Sequence, residues 1–387
     1  MSKFVRKIRY IKGLVFAVSA VPNDISGFLK DIFKVDENKL SEVERAWIAY
    51  ELKERYVENL HHTKSLKRII YSIIFPFAYI GILKKKNITI QEKRKIVYYR
   101  ISDNQGILPE KYKNNKELQI VAMGEGMMLD EISRDILKDS FRISKGKLHF
   151  LMEELLALAN YSYICNKYNP DEIITSYESA YANSVLTLYC HKKNIIHTNF
   201  MHGEKLLSPL NVLGYFDTMY VWDEHYISLF QQLKYRVGSY VIENPWEKIS
   251  LPITTRPIDY TFFMNYEDEH SLRVIIEIAN KLVDRGYSVR IRLHPSQIKE
   301  EKLKKIVPRE MLDNEVNDIM QSISNTKFAV SRYSTVLYQA FINKKKIIID
   351  DISNKQEFKQ LKQLDYIMLN KKHELLSHVL EIEEIEC

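Results

Sequence analysis

The sequence has little of what interrupts or cross-links a polypeptide. Its 387 residues include 11 glycines, 10 prolines and three cysteines. Scarce glycine argues against a collagen-like or disordered chain and against extended loops. The cysteines, Cys165, Cys190 and Cys387, form no Cys-x-x-Cys pair. This spacing predicts a reducing compartment and no structural metal site.

Long apolar runs are missing as well. The run before a potential signal-peptidase site, Val18-Ser19-Ala20, begins only at Leu14, and it is shorter than the roughly 7 residues of a signal-peptide core. We therefore expect a cytoplasmic protein. Residues 69–83 are mostly apolar, but Pro76 interrupts them, and a spanning helix needs about 20 such residues.

Basic residues accompany the apolar stretches near the N terminus. Residues 69–83 are flanked by Lys64, Lys67, Arg68, Lys84, Lys85 and Lys86. The first twenty residues carry no acid, and their basic residues are Lys3, Arg6, Lys7, Arg9 and Lys12. One interpretation is a buried helix with solvated flanks. A second is a patch that contacts anionic lipid headgroups, on the inner face of the cell membrane. A true span is the third.

The overall charge is mildly basic, with a net charge of +7 and a pI of about 8.9. Such a balance favours an anionic partner without identifying one. We predict no nucleic acid among the partners. No acidic pair or histidine cluster has metal-ligand spacing, so we predict neither a metal nor a cofactor.

The hydrophobic pattern divides the chain into three parts. Residues 1–112 are predicted to be helical, and Ser41 and Glu44 fit a capping box at the start of one helix. Strands and helices alternate through residues 113–247 and again through 248–387, which is typical of parallel, doubly wound sheets. The sequence therefore predicts an α/β protein with two Rossmann-like domains facing a cleft and a helical N-terminal extension.

The first candidate element, Met-His-Gly-Glu-Lys, follows a strand-like run in the first predicted domain. His202 is a candidate general base because histidine titrates near neutral pH. Glu204 is the other candidate, or it orients the imidazole. Gly203 allows a turn and close approach of a substrate, and we assign it with Lys205 to the acceptor. The alternative is a buried structural histidine.

The second element, Arg-Leu-His-Pro, ends a predicted strand in the second domain. Arg292 and His294 are two residues apart, so they share one face of an extended segment. A histidine beside a phosphate stabilises a leaving nucleotide, and Pro295 ends the strand. The alternative is a structural histidine at a strand end.

The third element, Ser-Arg-Tyr-Ser-Thr, joins another predicted strand to a helix. A helix N-terminus carries free N–H groups and partial positive charge, so it binds phosphate. Ser334 and Thr335 add hydroxyl donors and Arg332 adds a charge. The alternative is that Ser334 only caps the helix.

Weaker signals lie elsewhere at predicted strand ends. Gly124, Glu125 and Gly126 resemble a truncated glycine-rich loop, and Ser176 ends another strand with a hydroxyl. We assign these four residues to acceptor binding. The acidic run that begins at Glu267 is interpreted as the N-terminus of a helix, where acids are favourable.

With these motifs, residues 118–352 resemble the GT-B class of nucleotide-sugar glycosyltransferases. The segment that ends at Asn244-Pro245 is similar to the approach to the interdomain linker, and this resemblance places Asn244 in the donor site. Arg292 to Pro295 and Ser334-Thr335 look like elements that bacterial sialyltransferases and capsule transferases share. In those families both elements hold the donor's nucleotide phosphate. His202-Gly203 is instead similar to teichoic-acid polyol-phosphate transferases, in which this histidine is the proposed base.

The resemblance implies an inverting, metal-independent glycosyltransferase that acts on a surface polysaccharide or lipid-linked glycan. The donor implied is CMP-sialic acid-like or a UDP-sugar. Two alternatives stay open. One is a polyol-phosphate transferase that uses a CDP-activated donor. The other is a non-catalytic GT-B homologue that binds glycan or acts as a scaffold.

Overall fold

The computed structural model describes residues 21–57, 61–83, 93–100, 108–246, 257–265, 267–295, 297–299, 301–313 and 318–381. Contacts divide the chain into two compact units, Met1–Asn244 and Pro245–Cys387. Two features discussed above lie outside the described residues: the basic N-terminal segment and Lys84 to Lys86. The two units are described separately.

The first unit contains one six-stranded sheet and the helices that cover it. Its strands are β1 Ile96–Arg100, β2 Leu118–Ala122, β3 Glu172–Thr175, β4 Ile196–Phe200, β5 Tyr215–Val221 and β6 Arg236–Ile242. Its α-helices are α1 Ile25–Phe33, α2 Glu42–Tyr56, α3 His61–Leu83, α4 Glu110–Lys113, α5 Glu131–Ile143, α6 Leu148–Tyr168, α7 Asn183–Lys192 and α8 Glu224–Gln232. A 3₁₀ turn spans Glu37–Lys39.

The strand order of the first sheet is β2-β1-β3-β4-β5-β6, and the pairs are parallel. The prediction that residues 1–112 are helical is wrong at β1, which lies inside the sheet between β2 and β3. Val97 and Tyr98 are fully buried there, as expected for a parallel sheet covered on both faces. The chain reverses its direction of winding between β1 and β3, which makes this position the topological switch point.

Local sequence signals explain where several helices of this unit begin and end. Ser41 accepts a hydrogen bond from the backbone of Glu44, whose side chain bonds back, so the predicted capping box at the start of α2 is confirmed. Helix α6 ends at Tyr168 because the next residue, Asn169, has a φ of 44°, and a left-handed residue terminates the helical hydrogen bonds. Pro170 follows and cannot continue the helix.

The second unit contains one five-stranded sheet. Its strands are β7 Ile258–Phe263, β8 Val289–Arg292, β9 Thr326–Ser331, β10 Lys346–Ile349 and β11 Glu374–Leu375. Its α-helices are α9 Glu269–Asp284, α10 Glu301–Lys304, α11 Ile319–Asn325, α12 Thr335–Ile342, α13 Lys355–Gln363 and α14 Leu376–Val379. Turns of 3₁₀ helix span Gln297–Lys299, Arg309–Met311 and Ile367–Asn370.

The strand order of the second sheet is β8-β7-β9-β10-β11, again with parallel pairs. Its switch point lies between β7 and β9, and ligands of doubly wound sheets bind beyond the carboxyl ends of the strands at such a point. The core is formed largely by β7, β8 and the inner face of α9, where Leu272, Ile275 and Ala279 are buried. The prediction of two parallel-sheet α/β units is therefore confirmed, and the cleft between them stays a prediction.

No helix among the described residues combines the length and the apolar character required to cross a bilayer.

Candidate functional site

In the first unit, candidate residues gather where β3, β4 and β5 end. Thr175 of β3 pairs with Asn199 of β4, and Phe200 pairs with Tyr220 of β5. Parallel pairing brings the loops after these strands to one edge of the sheet. The indole of Trp222, after β5, donates to the carbonyl of Met201, 3.1 Å away, so the loop that carries His202 is fixed to its neighbour.

A buried carboxylate, Glu178, is the centre of this edge. Nδ1 of His202 lies 3.1 Å from each of its oxygens, and Nζ of Lys205 lies 2.6 Å from one of them. The side chain of Glu178 is 0% exposed, whereas that of His202 is 29% exposed. The arrangement therefore presents an imidazole to solvent while its orienting group stays inside the protein.

The electrostatics of this group determine which nitrogen of His202 carries hydrogen. Burial alone raises the pKa of Glu178, but His202 and Lys205 outweigh burial and hold the pKa well below its usual range. An ionised carboxylate only accepts hydrogen bonds, so Nδ1 of His202 must donate. In the neutral imidazole, Nε2 then carries the lone pair and is able to accept a proton.

Glu204, the other candidate base, lies in a different environment. One of its oxygens accepts from the hydroxyl of Tyr226, 2.8 Å away, and from the backbone N–H of Lys205, 3.2 Å away. Burial raises the pKa of Glu204 to about 8, even though the Tyr226 hydroxyl lowers it. Because Glu204 is buried and its charged form is disfavoured, it is a weaker candidate for the base than the partly exposed His202.

The residues assigned to the acceptor fall in two places. Gly203 and Lys205 belong to the His202 loop, although Lys205 is only 6% exposed and contacts Glu178 rather than solvent. Ser176, after β3, is next to this loop and buried, with its hydroxyl 3.2 Å from that of Tyr98.

The Gly-Glu-Gly loop follows β2, three strand spacings or about 14 Å from β4. Gly124 has a φ of 83° and requires glycine for that reason. Glu125 forms an ion pair with Lys167. A Cβ at Gly126 would lie 2.2 Å from the ring of Tyr163. The structure thus gives these residues local packing and does not bring them to His202.

In the second unit, Arg292 and His294 occupy the end of β8. Nη1 of Arg292 donates to Oδ2 of Asp313 at 3.0 Å and to Oγ of Ser322 at 2.9 Å. Its charge is therefore compensated within the unit. His294 is half-buried, and burial lowers the pKa of its imidazole, which favours the neutral ring. Pro295 is exposed.

Arg332, at the end of β9, is buried among carboxylates. Its Nη2 lies 2.8 Å from Glu357 and 3.8 Å from Glu267, and Nη1 donates to Ser353 at 3.2 Å. Glu267 follows β7, at the switch point. Burial raises its pKa to about 7, although Arg332 lowers it. The side-chain amide of Gln297, from the loop after β8, donates to the carbonyl of Glu267 at 2.8 Å.

Ser334 and Thr335 stand at the start of α12. The hydroxyl of Ser334 accepts from the backbone N–H of Val336 at 3.2 Å, so the capping function considered in the sequence is present. Thr335 is the first helical residue. Both side chains are partly exposed, as a phosphate site requires. Asn244 follows β6 of the first unit and is also partly exposed.

The sequence interpretation missed Glu178 as a functional residue and treated Glu267 only as part of a helix N-terminus. Asp268 does cap α9, accepting from Ser271 at 2.8 Å, but Glu267 is buried one residue before it. The signal for Glu178 was its place three residues after a buried strand, in a loop of polar residues. Within the described residues, no group of three or more histidine, cysteine, aspartate or glutamate side chains is arranged to hold a metal ion.

Comparisons with known proteins find solved structures that resemble this chain at low sequence identity. No family model and no curated protein matches the sequence. A solved structure of the wall teichoic acid polymerase TagF has a TM-score of 0.43 and 11% identity, covering 83% of this chain and 87% of that one. UDP-GlcNAc 2-epimerase from Methanocaldococcus jannaschii has a TM-score of 0.43 and 12% identity, covering 72% and 93%. The 2-epimerase from Rickettsia bellii has a TM-score of 0.41 and 10% identity, covering 66% and 79%. Likeness at this level does not assign a function.

Proposed function

We propose that the protein is an inverting glycosyltransferase that moves a sugar from a nucleotide-activated donor to an acceptor hydroxyl. The observation that carries the proposal is the pair formed by Glu178, after β3, and His202, after β4. A buried, ionised carboxylate fixes Nδ1 of a partly exposed imidazole, so Nε2 points its lone pair away from the carboxylate. This is the arrangement of a general base with its orienting group.

In the proposed reaction, Nε2 of His202 takes the proton of the acceptor hydroxyl. The acceptor oxygen forms a bond to the anomeric carbon while the bond from that carbon to the donor phosphate oxygen breaks. A single displacement of this kind inverts the anomeric configuration. Lys205 keeps Glu178 ionised, and Glu178 in turn stabilises the imidazolium that forms.

We assign the nucleotide phosphate to the second unit. The start of α12 offers partial positive charge and the hydroxyls of Ser334 and Thr335. A neutral His294 is a hydrogen-bond donor to the leaving phosphate. Arg332 and Arg292 already have carboxylate partners. We therefore propose that they hold the loops after β9 and β8 in place and do not bind the phosphate. The proposal assigns charge stabilisation to these groups and requires no metal ion.

The acceptor we propose is a growing surface polysaccharide or glycolipid, glycosylated on the inner face of the cell membrane. The sequence resemblance and the basic residues of the N-terminal region support this assignment.

The decisive experiment compares His202→Ala with His191→Ala in turnover of CMP-sialic acid and UDP-sugar donors. His191 is a matched control, because its Nε2 pairs with Asp217 at 2.7 Å in the same unit. We expect His202→Ala to lose about 10²- to 10⁴-fold in turnover and His191→Ala to retain it. Equal turnover in wild type and His202→Ala would show that His202 is not the base.

A polyol-phosphate transferase is the second candidate, since a histidine base also activates a hydroxyl for attack on phosphorus. The observation that favours it is that the oriented base is the histidine of the His-Gly element. Thermal unfolding with CMP, CDP and UDP, followed by turnover assays with CDP-glycerol, separates the candidates. A ligand at a hundredfold excess over its Kd stabilises by about 2.7 kcal/mol. Acceptor binding with no nucleotide stabilisation would instead indicate a non-catalytic protein.

A further inference from the structure

Helix α3 carries a continuous apolar face that is exposed. Its members lie three or four residues apart, which places them on one side of a helix. The exposed fractions are 56% for Ile69, 60% for Ile73, 74% for Phe77, 50% for Ile80 and 38% for Leu83. With a rise of about 1.5 Å per residue, this α3 apolar face is about 21 Å long. Scattered single apolar residues are ordinary on a surface, but an aligned row of five indicates a contact surface.

The opposite side of α3 is held by the first unit. Tyr71 and Ile82 are buried, and the helix packs against α6. Arg68, near the start of the described side chains, forms an ion pair with Glu54 of α2. The helix is therefore anchored on one side, so the α3 apolar face is presented outward at a fixed orientation.

The sequence around this face has charge of one sign. Residues 61–91 contain six lysines and arginines and no aspartate or glutamate. Arg68 is paired with Glu54, which leaves five lysines. Basic residues near an anionic lipid surface strengthen binding about fivefold each. A second copy of the chain on the same face would instead bring two basic segments together, and like charges repel. Charge complementarity thus favours an anionic surface over self-association.

We propose that the α3 apolar face docks the protein on a membrane surface that contains anionic lipids. The helix lies parallel to the surface, with Phe77 at the centre of the row inserted among the acyl chains and the basic residues near the headgroups. The opposite side of α3 remains packed on the protein. This inference does not depend on the transfer reaction, and neither His202 nor Glu178 takes part in it.

The test is co-sedimentation of the full chain with lipid vesicles. One set of vesicles is phosphatidylcholine alone and the other contains about 30% phosphatidylglycerol. Phe77→Asp is compared with Phe141→Asp, because Phe141 is 51% exposed on α5 and receives the same charge. Circular dichroism and thermal unfolding establish that both variants fold.

We expect wild type and Phe141→Asp to bind the anionic vesicles and to bind the neutral ones at least tenfold more weakly. Phe77→Asp should lose at least tenfold in affinity for the anionic vesicles, and raising the salt from ~0.1 M to ~0.5 M should weaken wild-type binding. Failure of wild type to sediment with anionic vesicles would overturn the proposal. Equal binding of the anionic vesicles by the two folded variants would overturn it too. So would a wild type that does not bind vesicles and instead forms a dimer that Phe77→Asp dissociates and Phe141→Asp does not.

Discussion

Replacing Glu178 by glutamine removes the counter-ion of a buried lysine. Nζ of Lys205 lies 2.6 Å from the carboxylate and the side chain is only 6% exposed. Leaving one charge of a buried pair without its partner costs about 3–5 kcal/mol. We therefore expect Glu178→Gln to lower the free energy of unfolding of the first unit by that amount. Lys205→Met should cost less, about 2 kcal/mol, because Glu178 keeps His202 as a partner.

The double variant separates a charge effect from ordinary loss of packing. When both charges are removed, neither is left buried alone, and replacing a buried pair by neutral groups is often nearly neutral. The double variant should therefore lie within about 2 kcal/mol of wild type, giving a coupling energy of about 3 kcal/mol or more. Urea unfolding followed by tryptophan fluorescence measures this, since Trp47 and Trp222 both belong to the first unit. Additive losses in the double variant would refute the reasoning.

Glu178→Gln should also change how the free energy of unfolding depends on pH. The native pKa of Glu178 lies below its unfolded value, because His202 and Lys205 outweigh the effect of burial. Its stabilisation is therefore present above about pH 4.3 and is lost as the pH falls toward the native pKa. The stability of Glu178→Gln should depend less on pH in that acidic range. If the stability of Glu178→Gln falls with decreasing pH as steeply as that of wild type, Glu178 is not the ionised partner of Lys205.

Three further predictions concern buried or capping groups. Burial lowers the pKa of His197 to about 3, so the unfolded chain alone takes up a proton below pH 6.5. Wild type should lose about 2 kcal/mol between pH 7 and pH 5 through this residue, and His197→Gln should flatten the loss in urea titrations. Burial raises the pKa of Glu154 to about 8, so its contribution to stability falls as the pH rises from about 4.3 to 8. Glu154→Gln removes this dependence, so wild type should lose about 3–4 kcal/mol relative to Glu154→Gln between pH 5 and pH 8, and an unchanged difference would contradict the buried protonated state. Ser334→Ala removes the cap of α12 and should cost about 1 kcal/mol; if it also weakens nucleotide-induced stabilisation, the phosphate assignment is supported, and unchanged stabilisation counts against it.

The sequence predicts candidate site residues best where a polar residue follows directly after a predicted strand. His202, Ser176, His294 and Ser334 all follow strands that the apolar runs predicted, and parallel pairing then places them at the carboxyl edges. These positions are determined by residues that are neighbours in the sequence. A buried run of four to six residues and a polar residue after it suffice to predict it.

What the sequence could not show is which charges meet. Glu178 sits in a polar loop, and only the pairing of β3 with β4 places it under His202 and Lys205. Arg332 was predicted to contact phosphate, yet its closest described partner, Glu357, comes from α13. Such partners are distant along the chain, and neither residue's neighbours in the sequence indicate them.

Strand β1 changes where the first unit begins. The pattern of the first 112 residues suggests a helical segment that precedes the sheet, whereas Ile96–Arg100 pairs with β2 on one side and with β3 on the other. A shortened chain that starts at residue 113 would keep both partners and lose the strand that joins them. Each would then have an unpaired, apolar edge, and such edges promote aggregation. Attempts to trim this protein should therefore cut well before Ile96.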